Sequence, residues 1–343
     1  MSTLKTTNLQ HASAASPAIV LASDGSATAQ LSSLNGGALS GARNRIINGD
    51  MRIDQRNAGA SITGNSGVFP ADRWQTYATQ SSKFTCQQST TAPTGFTNSL
   101  LYTSLSAYSV TSSDYFSVTQ RIEGFNCAGF NFGTANATAL TLSFWVRSSL
   151  TGTFGGACHN NAFNRAYPFT YTITSANTWE YKTVSIAGDT SGTWTTDNSV
   201  GLEIGFSLGC GSTGLATAGA WTGTSNIYGA TGQVNVVGTN GATFYITGVQ
   251  LEAGSVATPF ERRSYGQELA LCQRYYWKTP DINSIVFNGN YNHVQFKVSM
   301  RATPTITLTP GGGTISDVRS NTEGFQATCS ATTNATAIAS IEL

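Results

Sequence analysis

The chain has 343 residues, enough for more than one folded unit, and only 10% of them are charged, with 18 Lys and Arg against 17 Asp and Glu. The charges nearly cancel and form no basic cluster, so the sequence lacks the positive patch expected of a nucleic-acid-binding protein. No apolar run approaches the roughly 20 residues that cross a bilayer, and residues 1–30 lack the pattern of a signal peptide, so we expect cytosolic synthesis and no membrane insertion.

Residues 1–43 are rich in Ser, Ala, Thr and Gly and poor in bulky apolar side chains. Such a segment cannot bury enough surface by itself to offset the entropy of ordering, so it is either a flexible tail or an arm that orders against a partner. The run Ile19, Val20 and Leu21, followed by the turn signal Asp24-Gly25, favours the arm. Val and Ile suit a strand that is added to the sheet of another chain.

Residues 44–262 are dominated by period-two alternation, in which every second residue is apolar and faces a core. The pattern is clean from Leu140 to Val146 and from Val200 to Leu208. In the first of these runs the positions facing away from the core are Thr141, Ser143, Trp145 and Arg147. Many short strands separated by turn residues, without alternating helices, predict an all-β antiparallel sandwich, and a jelly roll of about eight strands fits the length.

The patterns of known catalytic sites are absent or weak. Gly209 to Gly214 matches G-x-G-x-x-G, but no helix pattern follows it, so we interpret it as a strand-to-loop turn. Asp114 with Glu123, and Asp189 with Asp197, are pairs that could serve a glycosidase, which needs two carboxylates flanking the scissile bond. Nothing in the sequence places either pair together, and exposed loop acids are the alternative. We therefore expect no enzyme and no catalytic residues.

The six cysteines are scattered without the close spacing of a zinc site. A long β-rich chain made in the cytosol does not depend on disulfides, so we interpret all six as free thiols. They are Cys86, Cys127, Cys158, Cys210, Cys272 and Cys329.

Residues 204–251 contain no charged residue, yet they hold Trp221, Asn226 and Tyr228 in a Gly-rich setting. Aromatic faces and amide or hydroxyl groups are the groups that hold neutral sugars. These three residues, with Trp194 in a similar setting, are therefore candidate glycan contacts. The alternative is that the aromatic side chains pack onto the sandwich or onto a neighbouring subunit.

One short helix is predicted after the sandwich. Leu269, Cys272 and Tyr276 lie at helical spacing, and Ser264 with Gln267 forms a capping box. Beyond the helix the alternation returns, for example from Val294 to Met300. The predicted organisation is thus an N-terminal arm, a jelly-roll sandwich, a helical linker and a smaller C-terminal β-domain, over residues 1–43, 44–262, 263–278 and 279–343.

Two stretches, Asn44 to Arg56 and Tyr245 to Tyr276, with Asp72-Arg73-Trp74 between them, resemble the jelly-roll modules of bacteriophage fibre and tail proteins, which are similar in turn to carbohydrate-binding modules. The most specific parts are Gln250–Ser255, Thr258–Glu261 and Glu268–Tyr275. The resemblance implies a structural, receptor-contacting virion protein.

Several expectations follow from this resemblance. Phage fibres are commonly homotrimers, so Leu269, Cys272 and Tyr276 are expected near a trimer axis, with packing between two domains of one chain as the alternative. The arm, through Ile19 to Leu21, is expected to attach to other tail or baseplate proteins. Asn48-Gly49-Asp50 resembles a turn that holds calcium in carbohydrate-binding jelly rolls, with a purely structural turn as the alternative, and no other cofactor is expected.

The resulting hypothesis is a trimeric tail fibre, assembled in the host cytoplasm, that contacts host-surface polysaccharide. The first alternative is a capsid-decorating or head-fibre protein with a mechanical role. The second is an enzyme that degrades polysaccharide.

Overall fold

The computed structural model describes residues 8–9, 19–21, 23, 27–29, 42–281, 285–288, 292–330 and 332–343. In the N-terminal segment, three short strands form an antiparallel sheet: β1 (Asn8–Leu9), β2 (Ile19–Leu21) and β3 (Ala27–Ala29). β2 lies between the other two, whereas the sequence favoured its addition to the sheet of another chain. The turn signal Asp24-Gly25 lies outside the described residues.

Two antiparallel sheets form the central sandwich. One has the strand order β11-β10-β13-β8-β5 and the other β12-β9-β16-β7-β6-β4. The strands of this region are β4 (Ile62–Thr63), β5 (Gln75–Ala78), β6 (Phe84–Ser89), β7 (Ser99–Ser104), β8 (Tyr115–Glu123), β9 (Leu140–Ser148), β10 (Gly152–His159), β11 (Ala166–Ile173), β12 (Glu180–Ile186), β13 (Val200–Cys210), the short parallel pair β14 (Leu215–Ala216) and β15 (Gly229–Ala230), and β16 (Thr243–Ala253). The predicted all-β, antiparallel jelly-roll sandwich is confirmed.

The core of the sandwich follows from the alternation in the sequence. In β9, Leu140, Leu142, Phe144 and Val146 are all fully buried. Phe206 of β13 packs across the core on Phe144, with ring centroids 4.9 Å apart. Burial of apolar side chains from two facing sheets supplies the main stabilisation of this fold.

Helical structure in the sandwich is confined to short turns after strands. α1 (Gly124–Cys127) runs into a 3-10 turn at Ala128–Phe130, and two further 3-10 turns are Ser212–Gly214 and Val236–Gly238. The first residues of the G-x-G-x-x-G sequence end β13 and the remainder forms the turn at Ser212–Gly214, so the predicted strand-to-loop turn is confirmed.

The sequence motifs of the sandwich and the helix meet at Asn48. Its backbone N–H donates to Glu268 Oε1 (2.5 Å), and its amide donates to the carbonyl of Asp72 (2.9 Å). The Trp74 indole donates to the Asn48 carbonyl (2.9 Å). Asn48 has a φ of +57°, a left-handed conformation that Asn tolerates better than most residues. The three distant motifs therefore form one hydrogen-bonded junction.

The predicted helix is α2 (Tyr265–Gln273), and its capping box is present. Cys272 is fully buried in a cluster with Ile47, Ile53 and Tyr275 of the same chain. Tyr276 is also buried. Their own chain covers both Cys272 and Tyr276, as in the packing alternative, and a position near a trimer axis stays a prediction. Leu269 is half-buried beside the same cluster.

The C-terminal unit contains two small antiparallel sheets. One pairs β23 with β17, β18 and β20, and the other has the order β19-β22-β21. Its core includes Phe287, Phe296 and Phe325, and β17 already begins within the predicted linker 263–278. The strands are β17 (Tyr276–Lys278), β18 (Ile285–Phe287), β19 (Asn292–Gln295), β20 (Thr305–Pro310), β21 (Ile315–Ser320), β22 (Gly324–Cys329) and β23 (Thr333–Ser340).

All six cysteines are buried free thiols, as predicted. Burial raises the pKa of the Cys86 thiol to about 12, which keeps it protonated and unreactive at neutral pH. Within the described part of the chain, no helix has the length and apolar character needed to span a membrane.

Candidate functional site

The outer face of the six-stranded sheet carries an open groove. In β9 and β12, the residues that alternate with the core positions point outward and pair across the strands. The three pairs are Tyr181 with Trp145, Thr183 with Ser143, and Ser185 with Thr141. Because two residues along a strand advance about 7 Å, the floor runs from an aromatic pair to two rows of hydroxyl-bearing residues over roughly 14 Å. Thr183 and Ser185 of β12 are exposed, whereas Thr141 and Ser143 of β9 are buried and the Thr141 hydroxyl donates to the Gly254 carbonyl (2.7 Å).

Two loops form the wall of this sheet-face groove, which has a volume of about 850 Å³. Residues 94–96 and residues 255–260 both contribute to its lining. The rings of Trp145 and Tyr181 lie 5.5 Å apart on the floor. The rings of Phe96 and Phe260 meet edge to face at 5.3 Å in the walls. Tyr181 is 45% exposed, so its ring is available to a ligand.

A β-bulge in β16 makes room for the Phe96 wall. The register of β16 against β9 shifts between Thr247 and Gln250, and Gly248 within this shift has a φ of +61°. A Cβ at Gly248 would lie 2.7 Å from the Phe96 ring and 3.2 Å from Trp145. The groove therefore requires glycine here, both for the backbone conformation and for the close approach of two aromatic rings.

The second of the two loops, residues 255–260, is held in place by residues that carry the phage-like motif. Glu252 accepts hydrogen bonds from the Thr258 backbone N–H (2.8 Å) and hydroxyl (2.6 Å). The Gln250 amide donates to Glu252 Oε1 (2.9 Å), and its oxygen accepts from the Glu261 N–H (2.7 Å). All these groups except Glu261 are fully buried. This network tethers loop 255–260 to β16 and so positions Phe260.

Among the residues that the structure describes, Arg262 is the only charged one that lines the groove. Its Nη2 donates to the Gly95 carbonyl (2.6 Å), and its guanidinium carbon lies 4.7 Å from the Phe96 ring centroid. The remaining lining consists of aromatic, aliphatic and hydroxyl side chains and backbone. An open site of this composition can stack a sugar ring on an aromatic face and hydrogen-bond its hydroxyl groups.

The outer face of the five-stranded sheet is largely covered by the chain itself. Every residue of its central strand β13 is buried. The Gln233 amide donates to the hydroxyl of Ser207 on this face (2.5 Å), and the His159 ring hydrogen-bonds to the Ile227 carbonyl. Burial lowers the pKa of His159, so its imidazole stays neutral near pH 7. The segment around 227–233 thus occupies much of this face.

The four predicted glycan contacts fall into two pairs. Trp194 and Trp221 pack against each other at 5.3 Å, and their indole N–H groups donate to the carbonyls of Ser191 (3.1 Å) and Ala187 (2.6 Å). This arrangement has the features of the packing alternative.

Asn226 and Tyr228 lie together near the five-stranded sheet. The Tyr228 hydroxyl donates to Asn226 Oδ1 (3.2 Å), and its ring stacks on Tyr115 at 4.1 Å. Glycan contact by the four predicted residues stays a prediction, and none of them lines the sheet-face groove.

Each carboxylate considered for catalysis is engaged by its own partners. Asp114 accepts from the Tyr108 and Thr111 hydroxyls (2.8 and 2.7 Å), and Asp189 accepts two hydrogen bonds from Arg165 (2.8 and 2.5 Å). The same holds for the other members of the two pairs: Glu123 binds Arg274 (3.1 Å) and Asp197 accepts from the Ser199 N–H (2.8 Å). These contacts give all four carboxylates structural roles.

Calcium binding at the turn around Asp50 stays a prediction. Asp50 Oδ2 forms an ion pair with Arg52 (2.5 Å), which places a cation beside the carboxylate. No cluster of three or more Asp, Glu, His or Cys side chains suited to a metal occurs among the described residues. Asp50 Oδ1 is buried without a hydrogen-bond partner, which nothing in the structure explains.

Sequence reasoning missed the groove, although one signal for it was present. Trp145 lies on the side of β9 that faces away from the core, among Thr141, Ser143 and Arg147. A large aromatic side chain on the polar side of a strand indicates an exposed surface with a binding role. Tyr181 and Phe96 gave no comparable signal.

No protein-family model matches the chain, and no curated protein matches it. Among solved structures, it is similar to the enzymatically active domain of tailspike protein 4 of bacteriophage CBA120, with 15% identity over 63% of this chain and 22% of that chain and a TM-score of 0.34. A family 11 carbohydrate-binding module of Clostridium thermocellum, in complex with a β-1,3-1,4-mixed-linked tetrasaccharide, shows 14% identity, with 59% and 100% coverage and a TM-score of 0.29. The module TmCBM61, in complex with β-1,4-galactotriose, shows 10% identity, with 52% and 88% coverage and a TM-score of 0.27. Likeness at this level indicates neither ligand nor activity.

Proposed function

We propose that the chain is a non-catalytic glycan-binding protein and that the sheet-face groove holds the glycan. The observation that carries this proposal is the Trp145–Tyr181 pair on the floor of an open groove whose other polar lining is mainly hydroxyl groups. An aromatic platform beside hydroxyls matches the two sides of a sugar, since its C–H face is apolar and its edge is polar.

The biological setting proposed is the phage virion, where the protein is a trimeric tail fibre that contacts polysaccharide on the host surface. The sequence resemblance to phage fibre proteins supports this part. In the N-terminal segment, Val20 and Leu21 of β2 are each 41% exposed. These apolar side chains are the groups through which residues 1–43 attach to another tail or baseplate protein.

Glycan binding is tested with Tyr181→Ala. The protein is titrated with polysaccharide extracted from host envelopes, and affinity is followed by calorimetry. Removal of one ring of the platform is expected to weaken binding about tenfold, since an aromatic contact contributes about 0.5–1.5 kcal/mol beyond its buried area. Tyr265→Ala, which removes an exposed aromatic side chain from α2, is the matched control and leaves affinity unchanged. Equal binding by both variants contradicts the proposal.

The virion assignment is tested separately by gold-labelled antibody on intact particles. Label at the tail tip or baseplate supports a tail fibre. Label on the head contradicts it and indicates a capsid-decorating protein.

A further inference from the structure

Two arginines lie near the aromatic floor of the groove. Arg262 lines the groove, whereas Arg147 does not line it but follows Trp145 by two residues on the same outer face of β9. Among the residues that the structure describes, neither Arg147 nor Arg262 forms an ion pair. By contrast, Arg121 in β8 and Arg165, just before β11, are each paired with a buried carboxylate.

Arg147 is held by stacking. It lies opposite Tyr245 in β16, and its guanidinium carbon is 5.2 Å from the Tyr245 ring centroid. Trp179 packs edge to face against the same Tyr245 ring, with ring centroids 6.0 Å apart. Arg147 Nε is buried and has no hydrogen-bond partner. The guanidinium is therefore positioned on a rigid aromatic support without a counter-charge.

The carboxylates near the groove are turned toward other partners. Glu252 is fully buried behind the wall and bonds to Thr258. Glu180, at the start of β12, bonds to Lys182 (2.5 Å) and to the Thr174 and Ser175 N–H groups. Neither lines the groove, so the face presents positive charge without acidic groups beside it.

We propose that the groove selects an anionic glycan, with acidic sugars bound by Arg262 in the groove wall and by Arg147 beside Trp145. This inference rests on the proposed function of the groove. A guanidinium presents paired N–H donors that match a carboxylate, and two unpaired cations on one face attract an acidic chain and disfavour cationic ones. Stacked on rings, these arginines pay little ordering entropy when they bind.

The experiment compares one glycan with and without its charge. Oligogalacturonate and its methyl ester share the sugar backbone, and only the first carries carboxylates. Both are printed on an array beside neutral and acidic bacterial surface glycans and probed with the wild-type protein, Arg262→Gln and Arg147→Gln. Glutamine keeps a polar side chain but removes the charge. Tyr181→Ala reports the platform alone.

We expect the wild-type protein to bind acidic members of the array, with affinity that falls as salt rises. Each Arg→Gln variant is expected to lose about tenfold of the wild-type preference for acidic over neutral glycans, measured as the ratio of the two affinities. Equal binding of acidic and neutral members, or unchanged affinity in both Arg variants, overturns the anionic preference while leaving glycan binding intact. Absence of binding to every member overturns the proposed function itself.

Discussion

Asp72 shows how burial changes the chemistry of one residue. Its side chain is 1% exposed and accepts hydrogen bonds from the Gln55 backbone N–H (3.1 Å) and side-chain amide (2.5 Å). Burial raises the pKa of the carboxyl group to about 6, even though the hydrogen bonds from Gln55 and the charge of Arg56 favour the ionised form. The folded protein therefore binds this proton more tightly than the unfolded chain.

A pH-dependent stability follows at this residue. The stabilisation from protonated Asp72 is fully present below about pH 4 and is lost as the pH rises through 6, a change of about 3 kcal/mol. Asp72→Asn cannot ionise. Urea unfolding from pH 4 to 7 is expected to show the wild-type free energy of unfolding falling by about 2 kcal/mol relative to the variant. If the wild-type free energy of unfolding stays constant or rises relative to that of Asp72→Asn over this pH range, the raised pKa of Asp72 is contradicted.

At the scale of the element, the β-bulge in β16 is a feature of the fold that shapes the groove. Gly248→Ala adds a methyl group 2.7 Å from Phe96 at a backbone conformation that disfavours L-residues. Gly241→Ala is the matched control, because Gly241 also has a positive φ (+72°) but its added Cβ meets no atom within 4 Å.

Both substitutions are expected to cost about 1 kcal/mol of stability through the backbone. Gly248→Ala alone is expected to reduce stability by more than this amount and to weaken glycan binding, because the added methyl group displaces Phe96 from the wall. Thermal unfolding and the array above measure the two effects. If Gly241→Ala impairs binding as much as Gly248→Ala, the bulge does not shape the site.

The elements that the sequence predicted are those specified by neighbouring residues. The helix α2 follows from Ser264 and Gln267, three residues apart, and β9 follows from alternation within nine residues. The groove depends instead on residues such as Phe96, Trp145, Tyr181 and Phe260, which are far apart in the chain. The pairing of Trp145 with Tyr181 requires the register of β9 with β12, and alternation alone does not fix which strands are neighbours.

The expectation for Cys272 had the same origin. Helical spacing identified one apolar face of the predicted helix, and within the chain Cys272 on that face packs with Ile47 and Ile53, more than 200 residues earlier. Tyr276 lies outside α2, in β17. A periodic pattern shows that a face is buried but does not identify what covers it. An intrachain contact and a subunit contact therefore have the same sequence signature.

At the scale of the whole molecule, the sandwich and the C-terminal unit are joined by ionic contacts. Glu342 pairs with both Arg56 and Arg73 of the sandwich, and Arg301 pairs with Glu123 (3.6 Å). The Arg73 side chain is only 2% exposed, and its guanidinium also stacks over Tyr275 at 3.5 Å. A buried cation of this kind depends on its counter-charge, because water cannot replace it.

Glu342→Gln is therefore expected to destabilise the protein by about 3 kcal/mol, since it leaves Arg73 buried without its carboxylate. The control is Asp317→Asn, which breaks the exposed pair with Arg319 (64% and 38% exposed for the Arg and Asp side chains) and should cost less than about 1 kcal/mol. Urea unfolding of both variants decides the matter. Similar small losses in the two would mean that apolar packing around Tyr275, and not charge, holds the units together.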